Sequence, residues 1–143
     1  MPAADKTSPD KLSIVVFSGD FDKVHYALVM ASAAVASNTP VTLFFTMWAG
    51  RALESDHGWK RMKCSDGSGA ETMDAQFKSN NVADFETLLE ACVALGVTFM
   101  VCEMGLKALG MDIEALRHDV PISKGGVVTF LADASKNGAM VLV

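Results

Sequence analysis

The sequence predicts an α/β fold: one domain, with a doubly wound, mostly parallel sheet and helices on both faces. Three observations carry this. Leu12–Phe17, Val41–Thr46, Val97–Val101 and Ala139–Val143 are short, unbroken apolar runs, as expected of strands buried on both faces. The segments between them repeat apolar residues at helical spacing. Glycine or proline punctuates most junctions, and 143 residues suffice for a single domain with its own core.

Met1–Lys11 holds two prolines and alternating charges and reads as a flexible leader, leaving 12–143 as the domain. Leu12–Phe17 ends at Ser18-Gly19-Asp20, and a helix is expected from about Asp22 to Ser37. Val24, Leu28, Ala31 and Val35 form its stripe, and Ala27, Ala34 and Ala36 allow close approach to a sheet. Pro40 disfavours helix at the residue before it. With Val41–Thr46 this makes a strand–helix–strand unit. Met47–Leu53 reads as a short helix, and His57 to about Asn81 as an irregular loop long enough to be a lid or binding loop. Asp84 is a candidate N-cap for a helix carrying Phe85, Leu88, Leu89, Cys92 and Val93, which Gly96 stops. Val97–Val101 then leads through Cys102 into a short helix ending at Gly110. Asp112–Arg117 supplies a further helical turn. Gly125-Gly126 opens a last helix over Val127–Lys136, and Asn137-Gly138 stops it before the final strand.

The composition excludes several classes. Half the residues are hydrophobic and 20% are charged, which is globular and not disordered. A net charge of −5 argues against nucleic acid; the densest basic stretch, Lys60-Arg61-Met62-Lys63, reads as a solvated loop. Three cysteines without a signal peptide point to the reducing cytoplasm. Ser37-Asn38-Thr39-Pro40 divides the apolar Val24–Gly50 into pieces shorter than the roughly 20 residues that span a bilayer, so no membrane span is expected; peripheral membrane contact is not expected either but stays open. His25, His57 and His118 share no metal-ligand spacing, and CxxC and HxxxH are absent, so neither a metal nor a cofactor is expected.

Chemistry then falls to the thiols. Cys92 lies on the apolar stripe of its helix and reads as core. Adding helix rise, strand rise and layer spacing puts its Cα well beyond the ~7 Å disulfide limit from Cys102. Cys64 stands beside Lys60, Arg61 and Lys63, cations expected to lower its pKa, on a loop leaving the sheet edge that carries Cys102. Cys102 sits where open sheets present ligands, beyond the carboxyl end of a strand, and near the first free N–H groups of a helix, which favour a thiolate. Glu103 opposes that charge, and Met100, Met104 and Leu106 suit a buried thiol equally well. Ser18 and Asp20 are placed to border a thiol pocket, and Trp48 and Trp59 to line it, to line an interface or to join the core. The Ser18-Gly19-Asp20 turn is placed as phosphate loops are, but lacks both GxGxxG and Walker patterns.

Four motifs resemble the DsrE/DsrF/DsrH-like proteins of the sulfur relay, particularly the branch often described as peroxiredoxin-like. They are Ile14-Val15-Val16-Phe17-Ser18-Gly19-Asp20 with its alanine-rich helix, Val41-Thr42-Leu43-Phe44-Phe45-Thr46-Met47-Trp48, Cys102-Glu103-Met104 through Leu109-Gly110, and Gly125-Gly126-Val127. The resemblance spans most of Leu12–Val143. It implies a flavodoxin-like three-layer fold and a sulfur carrier whose strand-end cysteine, Cys102 by position, accepts sulfane sulfur as persulfide or thiosulfonate. It further implies a trimeric or hexameric homo-oligomer, with small thiol carrier proteins or rhodaneses as partners. The glycine- and methionine-rich segment usual in that branch is shortened here to about Cys64–Met73.

Three functional readings stay open. The first is sulfur transfer on Cys102, with Cys64, Glu103, Met104, Ser18, Asp20 and Trp48 as auxiliaries. The second is a non-catalytic oligomeric module binding a nucleotide or thiol metabolite at the same edge. The third, a thiol–disulfide or peroxide reductase, needs Cys64 and Cys102 within bonding range.

Overall fold

The computed structural model describes residues 8–143. Most of the leader expected at the N-terminus, residues 1–7, lies outside the described residues. Five strands form one parallel sheet: β1 (Leu12–Val16), β2 (Val41–Phe45), β3 (Thr98–Cys102), β4 (Ile122–Gly125) and β5 (Ala139–Leu142). Their spatial order is β4-β3-β2-β1-β5. The helices are α1 (Phe21–Ala36), α2 (Ala70–Ser79), α3 (Phe85–Ala94), α4 (Glu103–Ala108) and α5 (Val127–Asp133), with 3-10 helices at Met47–Leu53, Gly58–Arg61 and Ile113–Ala115.

The order explains the layering. From β1 to β4 the chain steps one strand at a time in one direction, so right-handed crossovers stack on a single face. The connection from β4 to β5 runs back across the sheet, and the same handedness puts α5 on the other face. Strand alternation separates two cores accordingly. Ile14, Val16, Leu43, Phe45, Phe99 and Val101 pack with Val24, Leu28, Leu89 and Cys92 in the larger core. Phe44, Met100, Cys102 and Phe130 form the smaller one, with Val15 against it.

Two expectations are corrected. The sequence promised four strands and there are five, because Ile-Ser-Lys-Gly at β4 carries no apolar run. It is an edge strand bonded to β3 alone, with Ser123 and Lys124 exposed. The stretch from His57 to Asn81 is not irregular: it holds the 3-10 helix at Gly58–Arg61 and all of α2. That helix escapes a periodicity reading because only Ala70 is fully buried, with Met73 and Phe77 half in the core. Elsewhere the boundaries fall within three residues of expectation, and Asp84 does cap α3, its Oδ1 accepting from the Thr87 N–H at 3.0 Å.

Candidate functional site

The connections after β3 and β4 leave for opposite faces, α4 toward the larger core through Leu106 and α5 toward the smaller one through Phe130. Adjacent strands whose connections diverge in this way mark the switch point at which open α/β sheets bind ligands. Cys102, last residue of β3, and Gly125, last residue of β4, are paired partners at that point. Cys102 is also the N-cap of α4, and its Sγ accepts the Gly105 N–H at 3.4 Å. The approach requires glycine at 105. A Cβ there would lie 2.7 Å from the Met47 nitrogen and 2.7 Å from Thr46 Oγ1, so α4 sits tight on the chain leaving β2.

The thiol is not at an open rim. Cys102 is 0% exposed, because its side chain points to the α5 face, under Phe130, whose ring stacks on Phe44 at 4.6 Å. Glu103 and Met104, next in sequence, are exposed, Met104 by 60%. A cleft of about 300 Å³ lies beside the switch point, lined by Glu103, Lys107, Asp112 and Lys124 over Leu106, Met111 and Ile113. Its apolar floor belongs to the larger core, so it opens on the face away from the Cys102 sulfur.

The auxiliaries scatter. Ser18 Oγ accepts from the Asp20 N–H at 3.0 Å, and Asp20 pairs with Lys23 at 3.4 Å. Both follow β1, two strands or roughly 10 Å from Cys102. Trp48 follows the neighbouring β2, packs edge-on to Phe17 at 5.4 Å and is 43% exposed. Trp59 is core, stacked on Phe21 at 5.3 Å. Nor is the turn after β1 open to a phosphate. Lys63 bridges Asp20, the Lys63 carbonyl takes the Phe21 N–H at 2.8 Å, and Asp22 accepts from the Ser65 N–H at 2.8 Å, so the chain itself closes that helix start.

Cys64 needs the plainest correction. It is 3% exposed in the larger core, on the opposite side of the sheet from Cys102, and all three cysteines are free thiols. Lys63 alternates away into solvent, while Asp22 and Asp66 stand near the sulfur. Burial pushes the Cys64 thiol up and the two carboxylates add to it, against a hydrogen bond from Ser68. Cys92 lies 0% exposed against the Leu28 carbonyl, and burial takes its pKa to about 11. The arrangement therefore removes the thiol pair that a Cys64–Cys102 reductase requires.

The histidines play separate parts. His25 is buried with Nε2 2.8 Å from the Ala83 carbonyl, His57 stands 4.0 Å from Glu86, and His118 is exposed. Among the described residues no group of three or more His, Cys, Asp or Glu is placed to hold a metal ion, and no helix is long and apolar enough to cross a membrane.

A network the sequence did not announce joins distant segments. Glu86 in α3 receives Arg117 Nη1 and Nη2, each at 2.8 Å, and Trp59 Nε1 at 2.8 Å, while Arg117 also holds Asp119 at 2.7 Å. It locks the approach to β4 onto α3. On the other face Asp133 accepts from Lys11 Nζ and Thr42 Oγ1, both at 2.7 Å, pinning the end of α5.

Fold and site together define a doubly wound α/β protein with a cysteine at the switch point, capping the helix that follows its strand. The chain belongs to the DsrE/DsrF/DrsH-like family, whose model matches residues 8–65 and 54–142. The two matches overlap at residues 54–65, in the segment that follows β2. The chain is 28% identical to the uncharacterized protein YrkE of Bacillus subtilis (strain 168), covering 93% of this chain and 96% of that one. That alignment runs over 157 positions, more than this chain has residues, so the relative carries insertions. Among solved structures, MTH1491 from Methanobacterium thermoautotrophicum, a protein of unknown function, superposes with a TM-score of 0.59 at 15% identity, covering 93% of this chain and 98% of the other. The ychN protein from E. coli gives 0.56 at 18%, covering 93% and 97%. At these identities the likeness is one of fold.

Proposed function

We propose that the protein carries sulfane sulfur on Cys102 and hands it to a partner thiol. In the loading step a donor R–S–SH gives its outer sulfur to the Cys102 thiol, leaving RSH and Cys102–S–SH. In the second step an acceptor thiol takes that sulfur and Cys102 returns to the thiol, so neither step needs an oxidant. The observation that carries the reading is the place of Cys102: the last residue of β3, at the switch point, with the Gly105 amide on its sulfur. Family membership supports a role in sulfur relay. The protein is expected to act in the cytoplasm as a homo-oligomer, trimer or hexamer, with a small thiol carrier or rhodanese as partner. Support for assembly comes from the open β5 edge of the sheet, where Met140 and Leu142 are 49% and 70% exposed. In a single-turnover assay, protein loaded from glutathione persulfide and desalted should release one sulfur to excess acceptor thiol. Cys102→Ser should release none, and Cys64→Ser should behave as wild type. Full release by Cys102→Ser would end the proposal.

The complete burial of Cys102 favours a second reading, a non-catalytic module binding a thiol metabolite or nucleotide. A Cys102→Ala variant that still binds such a ligand tightly, with no sulfur loading of wild type, would select it.

A further inference from the structure

We propose that α5 is a gate over Cys102, hinged at Asp133 and lifting at its Gly125-Gly126 end, so that the thiol reacts only while the helix is raised. The inference rests on the assignment of Cys102 only for its purpose, since the gate is measurable without any sulfur donor. One seven-residue helix is the main cover of the smaller core, whereas α1 to α4 and the three 3-10 helices all contribute to the larger. The two ends of α5 are held very differently. Its last residue, Asp133, is tied by side chain to Lys11 and Thr42, and its carbonyl takes Lys11 Nζ at 2.9 Å. Its first turn follows Gly126, which offers no side-chain cap and has open space where a Cβ would stand; this end is held by packing alone, Gly125 lying close on Met100 and Thr129. That loose end is the one beside the thiol, since Gly125 is the paired partner of Cys102. Between hinge and loose end a single fully buried side chain, Phe130, holds the helix down on Phe44 and Met100. The outward residues Val127, Val128 and Leu131 are 48%, 82% and 55% exposed. Local opening of such an element needs only its own few contacts to break, so it precedes global unfolding.

The test is native-state labelling of the full-length protein with N-ethylmaleimide, read for each cysteine by peptide mass spectrometry. Cys92 is the internal standard: it is as buried as Cys102 but lies in the other core. Wild-type Cys102 should label slowly, yet faster than Cys92. Phe130→Ala should raise the Cys102 rate at least about tenfold and leave Cys92 within about twofold, because the lost packing belongs to the gate alone. Should Phe130→Ala fold poorly, Phe130→Leu, which trims the same contact on Phe44 and Met100, is read in the same way with a smaller acceleration. Equal acceleration of Cys92 and Cys102, no acceleration of either, or wild-type Cys102 labelling as fast as a free thiol would overturn the gate. Sulfur loading is followed in parallel. Selective acceleration without loading leaves the gate standing and removes the sulfur-carrier reading; loading without selective acceleration does the reverse.

Discussion

Replacing Glu86 by alanine should lower the melting temperature by roughly 10 °C. The carboxylate accepts two charge-assisted bonds from Arg117 and one from Trp59 Nε1, all at 2.8 Å. Trp59 is 3% exposed, so its orphaned N–H costs about 1–3 kcal/mol. Arg117 keeps Asp119, and the Glu86 side chain is 34% exposed, so water recovers part of the ion pair. A net loss of about 3 kcal/mol follows, and for a domain this size each kcal/mol moves the midpoint by roughly 3–4 °C. Glu86→Gln, which keeps an acceptor for Trp59, should lose about half as much. The pH dependence gives an independent check. Hydrogen bonds from Arg117, above all, hold the Glu86 carboxyl below its ordinary value of 4.5. A carboxylate with a depressed folded value stabilises fully above the unfolded value, and loses that contribution as pH falls through the folded one. The gap between wild type and Glu86→Gln should therefore stay constant near neutrality and shrink in acid. Differential scanning calorimetry from neutral pH into acid reads both effects. A fall below about 2 °C for Glu86→Ala would show that the network is ornamental to stability, and a Glu86→Gln gap that persists in acid would show that the carboxylate's charge is not what stabilises.

Three further outcomes are expected. Gly105→Ala should lower the melting temperature by several degrees, since its Cβ meets backbone at 2.7 Å and overpacking costs about 1–3 kcal/mol, while Gly69→Ala, with nothing within 4 Å, should not lower it. In the native protein at pH 8, Cys64 and Cys92 should resist iodoacetamide until the larger core unfolds, because both are buried with raised thiol pKa values. Burial pushes the Asp133 carboxyl up, but its bonds from Lys11 and Thr42 outweigh that and hold it below the usual range; acidification through that value should loosen α5, seen as faster hydrogen exchange at Phe130 in wild type but not in Asp133→Asn.

The large parallel sheet was legible because β1, β2 and β3 are sandwiched and their sequences are apolar but for Ser13, Thr42 and Thr98. The elements that escaped are those whose burial is one-sided. In β4 only Ile122 packs on the core, and α2 buries little beyond Ala70. The place of Cys102 in the chain was legible, but its cover was not. What lies over a strand end depends on where the chain returns, here a helix starting some 25 residues later. Cys64 failed for a nearer reason. In an extended segment adjacent side chains face opposite ways, so Lys63 beside it in sequence says nothing about the charges near its sulfur, which come from Asp22 and Asp66.

The most direct test of the account is site-resolved thiol mass spectrometry after incubation with thiosulfate, tetrathionate and glutathione persulfide in turn. The account predicts the mass of one added sulfur atom on the peptide containing Cys102 with at least the persulfide donor, and none on Cys64 or Cys92. Sulfur found on Cys64 with Cys102 unmodified, or on no cysteine at all, would contradict it.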